Sequence, residues 1–287
     1  MQNAQNPSHP NGQTGRWGEN VTVDFEDGIA WVTLNRPARR NAINPGIVWE
    51  MNAIMDALEE DDRCKVMVVT GAGESFSAGM DLKEYFRATD KVPPIHRERL
   101  FRANANWQWR RMMYYPKPTI SMVNGWCFGG AFQFLIGSDL AIASEDATFG
   151  LSEINWGIIP AGIVAKAVME AMSLRDAMYY IMTGETFDGR EAAAMKLVNK
   201  AVPASELKEA TRELAKTLMG KNPFVLRQAK TAARFSRDLT WDQAIEYLMA
   251  KSDQTDLRDP ENGRNTGMKQ FLDDKSYRPG LEAYDRG

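Results

Sequence analysis

The sequence predicts an α/β protein with a layered core of roughly 200 residues followed by a helical C-terminal region. Two observations predict this class. Short runs rich in β-branched residues alternate with stretches of helical apolar spacing in the first part of the chain. From Pro160 onward helical spacing dominates, and only one short strand, 197–202, interrupts it. The composition suits a sizeable core, because 44% of the 287 residues are apolar.

The first predicted elements are two strands, 21–25 and 29–34, joined by Asp27-Gly28, a dipeptide typical of β-hairpins. Further apolar runs predict strands at 66–70, 119–123 and 139–143, with 71–79 as a loop. Apolar residues at helical spacing predict helices at 45–58, 95–115, 163–172, 175–182, 190–195, 204–219, 223–235 and 241–255. The predicted organisation is therefore a tail (1–16), a core (17–203) and a helical region (204–287).

The tail is rich in Asn, Gln, Pro and Gly and almost uncharged, so we expect it to be disordered. The net charge of −3 and the lack of a basic stripe argue against nucleic acid as a partner. No apolar run reaches about 18 residues, which argues against a membrane span. Cys64 and Cys127 form no disulfide framework and the sequence shows no signal-peptide pattern, so we expect a cytoplasmic protein.

Histidine is scarce, since His9 lies in the tail and His96 is the only other. This scarcity disfavours histidine-based catalysis and zinc binding. The segment around Cys127 fits the G-x-C-x-G form of a nucleophile elbow, but the histidine of that arrangement follows the nucleophile in sequence. A buried thiol is the better interpretation of Cys127. The 71–79 loop lacks the Lys-Ser/Thr of a phosphate loop.

The most informative segment is 119–134, in which a β-branched run ends at a turn and Gly129-Gly130 precede an apolar stretch. Adjacent glycines at a helix start expose backbone N–H groups, and the helix dipole adds positive charge there. Such a place can hold an anion, either a phosphate or an oxyanion formed during a reaction. A second glycine-bearing loop, around Met80, also follows a predicted buried strand, so together they suggest a two-part oxyanion hole.

Glu153 is a candidate acid/base because it lies in an apolar, aromatic stretch, 149–157, between glycines. A carboxyl group in an apolar site has a raised pKa and can transfer protons near neutrality. The alternative interpretation is an ordinary turn residue that reaches solvent.

Five motifs together resemble the crotonase (enoyl-CoA hydratase/isomerase) superfamily in order and spacing, over roughly residues 17–285. They are Asn35-Arg36-Pro37 with Asn41-Ala42, Ser77-Ala78-Gly79-Met80-Asp81-Leu82, Asn124-Gly125 with Gly129-Gly130, Asp139-Leu140-Ala141, and 149–157. Segments 80–86, 124–130, 152–157, 179–184 and 270–276 most resemble the hydroxycinnamoyl-CoA (feruloyl-CoA) hydratase-lyases within it. Those enzymes convert feruloyl-CoA, p-coumaroyl-CoA or caffeoyl-CoA into vanillin or a related hydroxybenzaldehyde plus acetyl-CoA.

The resemblance implies a core of stacked ββα turns, with the C-terminal helices as a trimerisation region and trimers or dimers of trimers as the assembly. It also implies that the N–H groups of Met80 and Gly130 hold the thioester oxygen while Glu153 acts as acid/base. Coenzyme A is implied only as part of an acyl-CoA substrate, with no permanent cofactor and no metal. The residues implied along the CoA moiety are Arg39, Ala42, Ala78, Gly79, Asp81, Leu82 and Ala131. Those implied along the acyl and aryl parts are Tyr85, Gln133, Trp156, Ala161 and Met249.

The chain departs from this group at Gln133, where a serine is usual, at Phe134, at 159–161, and at Met249, where a tyrosine is usual. In that group, this serine, this tyrosine and a tyrosine at the position of Tyr85 are the residues expected near the phenol hydroxyl of the substrate. Gln133 can both donate and accept a hydrogen bond, whereas Met249 cannot donate. Hydration followed by C–C cleavage is the leading interpretation. The alternatives are an enoyl-CoA hydratase that does not cleave its product and a CoA-binding scaffold without catalysis, which the intact Glu153 disfavours.

Overall fold

The computed structural model describes residues 15, 16 and 18–287, so most of the predicted disordered tail lies outside the described residues. These residues form two compact units, one ending at Glu213 and the other spanning Leu214–Gly287. The first unit holds all the named strands. Gly15–Arg16, at the end of the predicted tail, form a short strand paired with Thr22 and Val23, because the main chain there finds hydrogen-bond partners along the edge of the sheet.

The larger sheet has seven strands in the order β1-β2-β3-β4-β6-β8-β11. The strands are β1 (Gly15–Arg16), β2 (Val21–Glu26), β3 (Ile29–Leu34), β4 (Val66–Gly71), β6 (Thr119–Val123), β8 (Leu140–Ser144) and β11 (Lys200–Val202). β2 and β3 form the predicted antiparallel hairpin, and every pairing from β3 to β11 is parallel. All six residues of β4 are buried, as expected for a parallel strand covered on both faces.

A second sheet of four short strands has the order β10-β9-β7-β5. These strands are β5 (Ser75–Ser77), β7 (Trp126–Phe128), β9 (Thr148–Gly150) and β10 (Thr186–Asp188). Strands β5, β7 and β9 each directly follow a strand of the larger sheet and pair in parallel with one another. The chain therefore passes repeatedly from the large sheet to the small one, which agrees with the predicted ββα turns. The sequence prediction of a loop over 71–79 was wrong at β5.

Eleven α-helices are named within the described residues, and α8 spans the boundary between the two units. They are α1 (Pro45–Glu60), α2 (Pro94–Ala105), α3 (Met112–Tyr114), α4 (Ala131–Gly137), α5 (Val164–Ala171), α6 (Leu174–Thr183), α7 (Gly189–Ala194), α8 (Leu207–Met219), α9 (Pro223–Ser236), α10 (Trp241–Arg258) and α11 (Gly263–Leu272). Short 3-10 helices span Pro37–Arg39, Thr89–Lys91, Ser152–Trp156 and Ala204–Glu206. Within the described residues, no helix combines the length and apolarity needed to cross a bilayer.

The predicted helix at 95–115 is continuous, but its middle is a π-helical turn at Asn106–Arg111 between α2 and α3. A second π-helical turn spans Leu82–Arg87. Such turns widen a helix by one residue and recur at functional sites. Each of the two π-helical turns contains or directly follows residues that line a cavity in the first unit, which is described below.

An aromatic cluster fixes the position of α4. The Phe134 ring lies 4.9 Å from the Phe76 ring and 5.2 Å from the Trp107 ring, and all three side chains are fully buried. Aromatic pairs at these separations add packing energy beyond their buried area. The cluster therefore joins the small sheet, the π-helical turn and the helix that begins at the paired glycines.

A buried asparagine joins the loop that follows β3 to the loop that leads into β5. Asn41 has a φ of 54° and is fully buried. Its side-chain oxygen accepts a hydrogen bond from the Arg36 N–H at 2.9 Å. Its amide group donates to the carbonyls of Ala72 (2.9 Å) and Ser75 (2.7 Å). Because one side chain satisfies three backbone groups, it determines how the two loops lie against each other.

We predict that Asn41→Ala lowers the free energy of unfolding by about 3 kcal/mol, because it leaves buried backbone groups unsatisfied. Chemical denaturation measures the change. Asn155→Ala is the control, since the exposed Asn155 makes one long hydrogen bond, to the Gly184 carbonyl at 3.2 Å, and its loss should cost less than about 1 kcal/mol. Equal losses in the two variants would contradict the role given to Asn41.

Candidate active site

A cavity of about 430 Å³ in the first unit collects most of the predicted site residues. Its wall is largely apolar and aromatic, with contributions from Leu82, Phe86, Phe101, Phe128, Trp156, Ile158, Ile159, Ile163 and Val164. Polar side chains are few and come from Tyr85, Asn104, Gln133, Ser152 and Glu153. An apolar cavity with a small number of polar groups is the usual form of a small-molecule site.

The Met80 loop enters this cavity directly after β5. The Ile43 N–H donates to the Gly79 carbonyl at 2.7 Å, and the Asp81 N–H donates to the Ile43 carbonyl at 2.9 Å. In extended backbone successive groups point to opposite sides, so the N–H of Met80 faces away from Ile43. Among the hydrogen bonds of the described residues, none uses this N–H as a donor. Met80 therefore presents a free main-chain donor at the cavity wall.

The paired glycines bring a second donor beside the first. Gly130 is the N-cap residue of α4, and the hydrogen bonds of the described residues leave its N–H without an acceptor. A Cβ atom built on Gly130 would lie 2.9 Å from Met80 Cγ and 3.4 Å from Met80 N. A side chain at Gly130 would force Met80 to shift, so the two loops are in contact, and both residues line the cavity.

Glu153 lies against the same glycines, on the 3-10 helix Ser152–Trp156. A Cβ atom built on Gly129 would lie 2.9 Å from Glu153 Oε1, and Gly129 has a φ of 48°, which also favours glycine. Glu153 Oε2 is buried without a hydrogen-bond partner. Burial raises the pKa of this carboxyl, and a hydrogen bond with its own backbone opposes part of the shift.

A salt-bridge network centred on Arg36 anchors the Met80 loop. Arg36 bonds to Asp81 Oδ2 at 3.0 Å, to Glu84 Oε1 at 2.9 Å and to the Ala42 carbonyl at 2.6 Å. Asp81 Oδ1 accepts from the N–H groups of Lys83 (3.0 Å) and Glu84 (2.8 Å), which caps the π-helical turn. Burial would raise the pKa of Asp81, but the hydrogen bonds from Glu84 and Arg36 outweigh it and hold the pKa below its ordinary value.

Asp81 is one of the residues predicted along the CoA moiety. In the structure its carboxylate is instead buried and hydrogen-bonded within the protein. Arg39 is exposed on the 3-10 helix Pro37–Arg39. Of the other residues predicted to bind CoA, Ala78 and Leu82 line the cavity, whereas the lining does not include Ala42, Gly79 or Ala131.

Of the five residues predicted along the acyl and aryl parts of the substrate, four line the cavity and one does not. Tyr85, Gln133, Trp156 and Ala161 line the cavity. Met249 belongs to the second unit, on α10, where its side chain is exposed. Its predicted role at the aryl end stays a prediction.

One cavity residue that the sequence analysis missed is Asn104. It lies on the buried face of α2, four residues after the buried Leu100 and three before the buried Trp107. A polar residue at a core position of a helix is the signal that could have identified it.

Beside Asn104, the Tyr85 ring stacks on Phe101 with centroids 5.5 Å apart. Burial raises the pKa of the Tyr85 phenol, and the neighbouring Asn104 amide opposes part of that rise. Tyr85 therefore stays protonated near neutrality and can donate a hydrogen bond.

The arrangement has the parts needed for acid–base chemistry next to an oxygen that gains negative charge. Met80 and Gly130, whose main-chain N–H groups have no acceptor among the described residues, line the cavity, and a carboxyl of raised pKa lies against the adjacent Gly129. Donors fixed in this way stabilise an oxyanion at no cost of reorganisation during reaction. The carboxyl can take or deliver a proton at a neighbouring carbon or oxygen atom.

Comparison with known proteins places this geometry in a family context. The family model described as enoyl-CoA hydratase/isomerase matches residues 24–278. A hydroxycinnamoyl-CoA hydratase-lyase of Pseudomonas fluorescens is 55% identical over 272 residues, which cover 95% of this chain and 98% of that protein. A probable mitochondrial enoyl-CoA hydratase of Dictyostelium discoideum is 30% identical over 79% of each chain.

The fold has solved counterparts. The crystal structure of an enoyl-CoA hydratase from Bacillus anthracis matches with a TM-score of 0.79 and 25% identity, covering 88% of this chain and 95% of that one. The predicted crotonase-like fold class is thus confirmed.

We predict that Glu153→Gln is more stable than the wild-type protein at pH 7, by about 1 kcal/mol, because the neutral amide removes a buried charge whose Oε2 lacks a partner. A raised folded-state pKa means that the wild-type carboxyl is most favourable to folding when protonated. That contribution is lost as the pH rises through the folded-state pKa.

The advantage of the variant should therefore shrink as the pH falls from 7 through the folded-state pKa, and it should be largely lost at pH 4.5, the ordinary pKa of the carboxyl. Chemical denaturation at both pH values measures it. A variant that is less stable than wild type at pH 7, or an advantage independent of pH, would contradict the burial argument.

Proposed function

Because the chain belongs to the enoyl-CoA hydratase/isomerase family, we propose that it is a hydroxycinnamoyl-CoA hydratase-lyase. In this proposal it hydrates feruloyl-CoA, p-coumaroyl-CoA or caffeoyl-CoA and cleaves the product to vanillin or a related hydroxybenzaldehyde plus acetyl-CoA. The observation that carries the proposal is the contact of Glu153 with Gly129, beside the free N–H groups of Met80 and Gly130. The 55% identity to the Pseudomonas fluorescens enzyme supports the aryl substrate.

The first step is the addition of water. The Glu153 carboxylate takes a proton from water as the oxygen bonds to the β-carbon of the enoyl thioester. The electron pair of the Cα–Cβ double bond moves to the thioester oxygen, which accepts hydrogen bonds from the N–H groups of Met80 and Gly130. Removal of one such donor typically costs about 3–4 kcal/mol of transition-state stabilisation. Protonated Glu153 then delivers its proton to the α-carbon.

The second step is a retro-aldol cleavage that reuses the same groups. Glu153 takes the proton of the β-hydroxyl, the Cα–Cβ bond breaks, and a carbonyl forms on the aryl fragment. The electron pair of the broken bond becomes the enolate of acetyl-CoA, held by the same two donors. Return of the proton from Glu153 to the enolate carbon completes acetyl-CoA. No acyl-enzyme forms, and the thioester survives, so no nucleophilic side chain is required.

Coenzyme A takes part as the substrate thioester in this proposal, and no cofactor stays bound. Ala78 and Leu82, on the cavity wall, would contact the pantetheine end, and the exposed Arg39 would face the phosphates.

We further propose a homotrimer or dimer of trimers, assembled through the C-terminal helices, in the cytoplasm. Large apolar side chains exposed on α10 and α11, among them Leu248 and Phe271, support an assembly through that region. The free, buried thiols of Cys64 and Cys127 are consistent with a reducing compartment.

Replacement of the acid/base residue tests the mechanism. We predict that Glu153→Gln lowers the rate of aldehyde release from feruloyl-CoA by about 10²–10⁴-fold, because the amide cannot exchange protons. Absorbance of the aldehyde measures the rate. Glu60→Gln, the same change at the exposed end of α1, should keep the wild-type rate. Near-normal aldehyde release by Glu153→Gln would overturn the mechanism.

Product analysis tests the cleavage step itself. Wild-type protein incubated with feruloyl-CoA should yield vanillin and acetyl-CoA in equal amounts, measured by liquid chromatography with mass detection. Accumulation of the β-hydroxyacyl-CoA without aldehyde would instead identify a hydratase that stops after the first step. No turnover of any aryl enoyl-CoA would leave only a CoA-binding protein.

A further inference from the structure

Asn104 is a buried polar residue that the mechanism above does not use. Only 8% of its surface is exposed, and it lies on the cavity wall near Tyr85, Phe86 and Phe101. Burying an unpaired amide among apolar neighbours costs free energy, so packing alone does not explain an asparagine at this position. A ligand group that bonds to this amide would account for its presence.

The hydrogen bonds of Asn104 are incomplete. Its Nδ2 lies 3.9 Å from the sulfur of Met80, a weak acceptor, while its Oδ1 is buried and has no partner. An unsatisfied buried acceptor typically costs about 1–3 kcal/mol. A hydrogen-bond donor carried by a ligand in the cavity would remove that cost.

Gln108 is a second buried amide near Met80, but it does not line the cavity. Its Nε2 also lies near the Met80 sulfur, at 3.8 Å, and its Oε1 is also buried without a partner. Gln108 is fully buried, however, and is not part of the cavity wall. Asn104 is therefore the member of this amide pair that a ligand can reach.

Tyr85 supplies the complementary group. Its phenol oxygen lies beside the Asn104 amide N–H, whose hydrogen bond opposes part of the rise in the Tyr85 pKa, and its ring stacks on Phe101. A protonated phenol donates a hydrogen bond, and the Asn104 Oδ1 accepts one. Such a pair matches a ligand hydroxyl, which accepts and donates at once, and it does not match a bare phenyl ring.

We propose that Asn104 determines specificity by accepting a hydrogen bond from the 4-hydroxyl group of the aryl substrate, next to Tyr85. This inference rests on the proposed function, because that function supplies the hydroxylated ring.

The test uses two unreactive ligands, 3-(4-hydroxyphenyl)propanoyl-CoA and 3-phenylpropanoyl-CoA. Both lack the Cα–Cβ double bond, so isothermal titration calorimetry measures binding without turnover. We expect the wild-type protein to bind the hydroxylated ligand about tenfold more tightly. In Asn104→Leu and Asn104→Ala this preference should fall to about twofold or less, with the affinity for the phenyl ligand nearly unchanged.

Asn106→Leu is the matched control, since it makes the same change two residues later. Asn106 donates to Asn52 at 2.9 Å and is not among the residues lining the cavity, so this variant should keep the tenfold preference. A wild-type protein without preference, or Asn104 variants that retain it, would overturn the inference. Failure of the proposed function is distinguishable, because it appears as missing aldehyde in the feruloyl-CoA assay while the binding ratio is still measured.

Discussion

The contact between the Met80 loop and the Gly129-Gly130 turn is the constraint on which the rest of the site depends. A single added carbon at Gly130 would collide with Met80, and one at Gly129 would collide with the Glu153 carboxylate. Two main-chain donors and one acid therefore meet because no side chain separates them. The parallel part of the larger sheet makes this possible, since β4 and β6 are neighbours and the chain passes from each into a short strand of the second sheet.

The surrounding structure stiffens that contact from three directions. Asn41 joins the loop after β3 to the segment that leads into β5, and Arg36 bonds to Asp81 and Glu84, which directly follow Met80 in the same loop and the π-helical turn. Phe134 anchors α4 between Phe76 and Trp107. Rigid support of this kind is what allows fixed dipoles to stabilise a developing charge, because the donors do not need to reorient as the charge forms. The contacts that stabilise these loops therefore also hold the two donors in position for the proposed chemistry.

The features that local sequence determines could be predicted. Asp27-Gly28 predicts the first hairpin, and the helical spacing of apolar residues over 45–58 predicts α1. The paired glycines and Glu153 could also be identified, because their residue types restrict what they can do. Three-residue strands such as β5 could not, since their stability comes from partners distant in sequence. Asn104 was missed because its significance depends on the cavity beside it, which periodicity alone does not reveal.

The two proposed oxyanion donors are main-chain groups, and this has an evolutionary consequence. A point mutation cannot delete a backbone N–H except by introducing proline, so the machinery for enolate stabilisation is encoded in the path of the chain. The groups that would choose a substrate, such as Asn104 and Gln133, are side chains that one codon change can replace. Substrate preference can therefore drift among descendants of this fold while the reaction chemistry persists.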